Sequence, residues 1–345
     1  MSTIQFITKT TRFIQRLTAA CVLGAWIMTA CSTLQGTQAS ATPTVTITMT
    51  RAPTATARPT PTPAPTDTPA PTETPTPTQV VLVGAGDISN CGNPGAGITA
   101  SLLDQFPAAA IFTAGDNSNV IGTPNEFKLC FGTTWGRYKD RIHPAVGEHE
   151  YYMKGASGYF DYFGAAAGEP GKGWYSYDLG GWHIVVLNSE CSKVGGCEAG
   201  SAQEKWLKAD LTAHHTLCSM AVWHVPFYSA ALAQGLPFLQ DIWKDLYAAG
   251  VELVVNAHHN DYERFAPMDP QGKADETRGI REFIVGTGGA PLEKGEHICS
   301  GNCQVINHTT LGVLKLTLRP DGYDWQFVPQ PGKILDESGS GVCHN

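Results

Sequence analysis

The chain has 345 residues, 42% of them hydrophobic, and a formal net charge of -8. It is long enough for one large core, and its mildly acidic globular part has no basic run with which to grip a phosphate backbone, so a nucleic-acid partner is not implied. No solenoid-length repeat is present.

Residues 1–30 read as a leader. Lys9, Arg12 and Arg16 precede an apolar run over 17–30 that has signal-peptide length but is short for a spanning helix. No later apolar stretch is long enough to span a membrane either. The run ends Met28-Thr29-Ala30-Cys31-Ser32, which resembles a bacterial lipobox. This predicts a lipidated Cys31 and a membrane anchor; an ordinary secretory peptide with an incidental Cys31 is the plainer reading. Residues 31–79 hold this Cys and a tract dominated by Thr, Pro and Ala. Such a composition buries too little to fold and favours an extended spacer, read as a stalk or simply a linker. The folded domain is expected over 80–345.

Within that domain strands are expected near 80–85, 109–114, 142–146, 174–178, 182–188, 218–223, 251–256, 281–286, 311–318 and 323–328. Helices are expected near 95–105, 124–131, 201–213 and 236–249. Ser201 and Glu204 look like a capping box, and Phe238, Ile242, Leu246 and Ala249 form the apolar face of the last helix. Pro320-Asp321-Gly322 marks a turn. The alternation predicts an α/β (α+β) class: two packed mixed β-sheets with helices outside.

Eight cysteines remain beyond Cys21 and Cys31, an even number that suits disulfides in an exported domain. Cys191 with Cys197 and Cys299 with Cys303 form short loops; Cys91 with Cys130 and Cys218 with Cys343 are the other pairs expected, although eight cysteines allow about a hundred connectivities. A zinc site built from paired Cys-x-x-Cys motifs is not present.

The chemistry gathers where apolar runs break. VVLVGAG leads into Asp87, AAAIFTAG into Asp116, IHPAVG into Glu148-His149-Glu150, SMAVW into His224 and VELVVNA into His258-His259-Asn260. Strand followed by polar residue, repeated five times, brings distant ligands to one sheet edge. Carboxylates and imidazoles collected there suit divalent metals. A right-handed crossover would set Asp87 and Asp116 on neighbouring parallel strands. Each alone is as well explained as a turn or a helix cap. His149 alone would read as a surface or packing residue, and His224 as a core histidine. His259 is expected to point away from His258.

The ordered blocks GAGDIS, TAGDN, PAVGEHEY, VWHVPFYS and NAHHNDYERFAP resemble the calcineurin-like metallophosphoesterases, especially the branch near purple acid phosphatases. The resemblance covers most of the domain and implies a metallophosphoesterase-like four-layer sandwich. It implies one or two Fe, Zn or Mn ions per chain: Asp87 on the first metal, Asp116 between the two, His224 and His258 on the second. Asn260 stands where a second imidazole is expected, and Glu148 where an amide ligand is expected. Asn119 replaces the tyrosine that follows the bridging carboxylate in purple acid phosphatases. The implied reaction is metal-dependent hydrolysis of a phosphoester substrate, with His149 protonating the leaving oxygen and Glu150 orienting its ring. Tyr151, Tyr152 and Tyr262 flank the site as pocket walls or as packing. The substitutions leave a catalytically impaired, surface-displayed binding domain as one alternative and a stalk protein with a disulfide-stapled head as another.

Overall fold

A computed structural model describes residues 79–344 except 233–234 and 295–297, all within the compact unit Ala70–Asn345. The leader, Cys31 and nearly all of the Thr/Pro-rich tract lie outside the described residues. No described helix is long and apolar enough to cross a membrane.

From the start of the domain, β1 (Val80–Ala85), α1 (Gly95–Leu103) and β2 (Ala110–Ala114) form a crossover unit. Next come α2 (Pro124–Glu126), a π-helical turn Phe127–Phe131, a 3-10 stretch Trp135–Arg141, β3 (Ile142–Ala145) and α3 (Ser157–Phe163). The chain then passes through β4 (Tyr175–Leu179), β5 (Trp182–Val186), α4 (Cys191–Val194), α5 (Ala202–Ala213) and β6 (Cys218–Val222). After these come α6 (Gln240–Ala248), β7 (Leu253–Asn256), β8 (Tyr262–Phe265) and β9 (Arg281–Val285). The last four strands are β10 (Cys303–Asn307), β11 (Gly312–Arg319), β12 (Gly322–Pro329) and β13 (Ser338–Val342).

Two mixed sheets result. The first has the order β13-β12-β11-β1-β2-β3, with β1, β2 and β3 parallel and β11 antiparallel to β1. The second has the order β10-β8-β9-β7-β6-β5-β4, with β5, β6, β7 and β9 parallel. The central strands of the second sheet read as continuous apolar runs because both of their faces are covered. Alternation decides which side each residue serves. Ile184, Val186, Met220, Val222, Leu253 and Val255 share one core with Leu82, Phe112 and Leu316 of the first sheet. Val185, Ala221, Trp223 and Val254 face the opposite way, into a second core with Leu207 of α5 and with Ile242, Trp243 and Leu246 of α6. On the far side of the molecule α1 touches β11 and buries Ala100 and Leu103. Helices outside two sheets is the expected layering.

Local signals explain the helix starts. Ser201 caps α5 by accepting the N–H of Glu204, but the Glu204 carboxylate takes the N–H of Gly200, so only half of the expected box forms. The complete box opens α2, where Thr123 and Glu126 serve each other's N–H groups. The expected face of the last helix also changes. Residues 237–239 form a 3-10 turn, and Phe238 is exposed rather than packed. All four expected disulfides are present: Cys91–Cys130, Cys191–Cys197, Cys218–Cys343 and Cys299–Cys303.

Candidate metal centre

The parallel ladder of the first sheet continues past its strand ends. The N–H groups of Asp87, Ile88 and Ser89 donate in turn to the carbonyls of Gly115, Asp116 and Asn117. Main-chain pairing therefore fixes the Asp87 and Asp116 loops side by side. In the second sheet, the N–H of Trp223 reaches Val255 and that of Ala257 reaches His224, so His224 and His258 leave neighbouring strands together. The N–H of Gly86 donates to Val285 across the two sheets at 2.8 Å, joining both edges.

The backbone is held in an uncommon conformation at these points. Asp87, Asp116 and His258 have φ of 53°, 47° and 71°, the left-handed region that non-glycine residues rarely occupy. Each such residue costs about 1–3 kcal/mol and persists where the surroundings enforce it, most often at functional sites. Close approach explains the glycine before two of the candidate ligands. A Cβ on Gly115 (φ +85°) would lie 2.6 Å from the His224 ring, and one on Gly147 would lie 2.2 Å from Asp116 Oδ1.

Donor atoms from five segments converge. Asp116 Oδ2 lies 3.4 Å from His224 Nε2 and 3.6 Å from His149 Nε2. Glu148 reaches two imidazoles, with Oε2 2.6 Å from His224 Nε2 and Oε1 2.9 Å from His258 Nδ1. Asp87, Asp116 and His224 form one cluster of ligand atoms, and Glu148, His224 and His258 form another. Asp87, Asp116 and His224 are buried, whereas His149, Glu148 and His258 keep 27%, 24% and 35% of their side-chain surface. The centre therefore opens to solvent on the side of His149 and His258.

Hydrogen bonds outside the centre orient these groups. His224 Nδ1 faces the Ala114 carbonyl at 2.8 Å, which leaves Nε2 aimed inward. His149 Nδ1 lies 2.9 Å from the Val120 carbonyl, and the Tyr152 ring rests beside it. Glu150 has a different role from the one expected. Its carboxylate is fully buried and accepts the N–H groups of Asp116, Ser118 and Gly147 at 3.1, 3.0 and 2.8 Å. It therefore pins the two loops, and Val120 orients His149.

Electrostatics mark a centre short of positive charge. Burial pushes the Asp87 carboxyl well up; His224 opposes this, and Asp116 and Glu148 add to it. Burial disfavours a charged His224, yet Asp116 and Glu148 overcome that and hold it well above its usual value. Burial works against an ionised Glu148 too, but His224 and His258 pull it well below the carboxylate range. Asp87 Oδ2 and Asn260 Oδ1 are buried without a hydrogen-bond partner among the described residues. Carboxylates gathered around two imidazoles are a donor set suited to a cation.

Some expectations change. Tyr262 is buried in β8 with its hydroxyl on Glu337, away from the centre. Tyr151 accepts an N–H of Asn188. Asn188 and Glu190 follow β5 in the same strand-end pattern as the other site residues, a signal that sequence reasoning passed over. Burial pushes Glu190 up, with Glu148 and Asp116 adding to the effect and His224 offsetting part of it, so it feels the charges of the centre.

No family model matches the chain. Over 122 residues it is 31% identical to purple acid phosphatase 18 of Arabidopsis thaliana, covering 34% of this chain and 26% of the relative. Purple acid phosphatase 15 of the same plant is 26% identical over 149 residues, covering 38% and 27%. The match thus spans about a quarter of each of these relatives. Among solved structures, the purple acid phosphatase PPD1 of yellow lupin (Lupinus luteus) seeds has a TM-score of 0.61 at 18% identity, covering 76% of this chain and 53% of that one. GAP50, described as the anchor in the inner membrane complex of Plasmodium, has a TM-score of 0.59 at 13% identity, covering 77% and 90%. The local sequence similarity is to plant purple acid phosphatases, and the fold, two mixed sheets flanked by helices, matches that of the purple acid phosphatase PPD1.

Proposed function

We propose that the domain hydrolyses phosphoesters outside the cytoplasm, using bound Fe, Zn or Mn at the centre formed by Asp87, Asp116, Glu148, His224, His258 and Asn260. The observation that carries this reading is the convergence of three carboxylates and two imidazoles on one edge, with their ligand atoms within reach of one another. When bound, the metal supplies charge neutralisation of the phosphoryl group and activation of the attacking water. The chain's own residues do the rest. Asp116 and His224 are fixed by main-chain contacts, so little reorganisation is needed when a phosphoryl group arrives. His149 stands on the open side. With Nδ1–H donated to Val120, its Nε2 faces the site, 3.6 Å from Asp116 Oδ2, and can carry the proton given to the leaving oxygen. Glu150 acts through the backbone of Asp116 and Gly147 as a positioning residue.

The leader, the Cys31 lipobox resemblance and four disulfides support export with a lipid anchor at Cys31, followed by a spacer that holds the domain off the membrane. Release of the Cys31→Ser protein from membranes is the expected result; unchanged association would refute the anchor.

Glu148 favours a second reading, a catalytically impaired binding domain. It sets a carboxylate against both imidazoles, and extra negative charge makes a metal a poorer Lewis acid. A fold likeness to GAP50, described as an anchor, agrees with that reading. The deciding experiment measures hydrolysis of p-nitrophenyl phosphate and its bis-ester after chelation and reloading with each metal. Metal-dependent turnover lost in His149→Ala supports the enzyme. A folded, metal-loaded protein without turnover on either ester supports the second reading.

A further inference from the structure

Two of the clusters of ligand atoms share His224 but are unequal. Around Glu148 two imidazole nitrogens lie 2.6 and 2.9 Å from its carboxylate oxygens, all of them atoms that can ligate a metal. Around Asp87 a side chain is already in place. Asn119 Nδ2 lies 2.8 Å from Asp87 Oδ1 and 3.4 Å from Asp116 Oδ2, so its amide spans the two carboxylates. The amide nitrogen, not its oxygen, is the atom turned towards both carboxylates. An N–H pointing at a carboxylate satisfies it as a donor and cannot coordinate a cation.

Asn119 is also poorly placed to leave. It is 9% exposed, and its main-chain N–H donates to Ser89 at 2.8 Å, between the Asp87 and Asp116 loops. Asn260, standing where the resemblance leads one to expect a second imidazole, is an amide, and amide oxygens hold zinc-like metals more weakly than imidazole does.

We infer that the Asn119 amide plugs the Asp87 half of the centre, so that the chain holds a single ion, at Glu148, His224 and His258 with Asp116 beside them. This rests on reading the cluster as a metal centre. It makes Asn119 a positioning residue that sets metal stoichiometry.

The test uses the full chain, stripped with a chelator and titrated with Zn2+ by calorimetry, with bound zinc counted by elemental analysis after desalting. One Zn2+ per chain is expected. His258→Ala should weaken binding at least about tenfold, whereas Asp87→Asn should change it far less. Asn119→Ala should open the second position and raise the count towards two. Circular dichroism melts check that each variant folds; His258→Gln replaces the alanine variant if that one does not. Two ions in the unmodified protein would overturn the single-ion inference and leave the metal-centre reading standing. So would an Asp87→Asn protein as impaired as His258→Ala, or an Asn119→Ala count that stays at one. No zinc in any variant would sink both.

Discussion

His224 Nδ1 lies 2.8 Å from the carbonyl oxygen of Ala114. His224 follows β6 of one sheet and Ala114 ends β2 of the other, so one hydrogen bond both ties the two sheets together and aims the ligand nitrogen inward. The site is therefore complete only when the sandwich is closed. His224→Ala removes the donor from a buried carbonyl, and an unmade buried hydrogen bond costs about 1–3 kcal/mol. Urea unfolding in chelator, where no metal contributes, should show at least that loss. Equal stability under those conditions would mean that the contact is incidental.

Glu150 gives a larger effect. One buried carboxylate serves three main-chain N–H groups, from Asp116, Ser118 and Gly147. Burial and the Asp116 charge push its carboxyl well up, and the N–H groups of Ser118 and Gly147 offset part of this. Glu150→Ala leaves all three donors buried, a cost of about 3 kcal/mol or more if each falls near the low end of the usual range. Glu150→Gln keeps an acceptor and should recover part of it. Both variants should retain the His149 side chain on the open side, so a proton-transfer defect without a stability defect would contradict the positioning role.

The strands that carry chemistry were legible because both of their faces are buried. Continuous apolar runs such as those of β1, β6 and β7 end abruptly at a polar residue, and that break is the site. The strands missed lack this contrast. β8 carries Glu263 and Arg264 in a four-residue strand, and β13 is Ser-Gly-Ser-Gly-Val, a strand only by its pairing with β12. Asn119 and Glu150 were legible as site residues but not in their roles. Local sequence cannot say that an amide spans two carboxylates, or that a glutamate beside a histidine turns inward to three N–H groups. Tyr262 misled because its neighbours in sequence are site residues, while strand alternation sends its ring into the core.

The C-terminal segment is stapled by Cys218–Cys343, which closes a sequence separation of 125 residues. Long loops lose the most entropy on closure, and a loop of this length corresponds to about 4–5 kcal/mol in the chain-entropy account. Replacing both cysteines with serine should lower the unfolding free energy by a large part of that. The same replacement at Cys299–Cys303, with a separation of only 4 residues, should cost less. Comparable denaturant midpoints for the two double variants would argue against the loop-length account.

The same terminal segment provides a pH signature. Glu252 is 2% exposed, and its Oε1 accepts the N–H of His344 at 2.7 Å, with His344 Nε2 3.2 Å from Oε2. Burial pushes its carboxyl from an ordinary 4.5 up to about 8, with the His344 N–H offsetting part. An acid whose folded value lies above its unfolded value keeps a proton that the unfolded chain has already released. Its contribution to stability is complete below the unfolded value and is lost as pH rises through the window from 4.5 to about 8. Glu263, pushed to about 8 mainly by burial, and the buried Glu282 shift the same way, so the parent protein's slope has several sources. Glu252→Gln cannot ionise and isolates one of them. Its stability relative to the parent should improve steadily as pH is raised across that window, read from urea midpoints in chelator at both ends. Parallel profiles for parent and variant would show that Glu252 ionises equally well in the folded and unfolded chain, and that its burial is not felt as a proton.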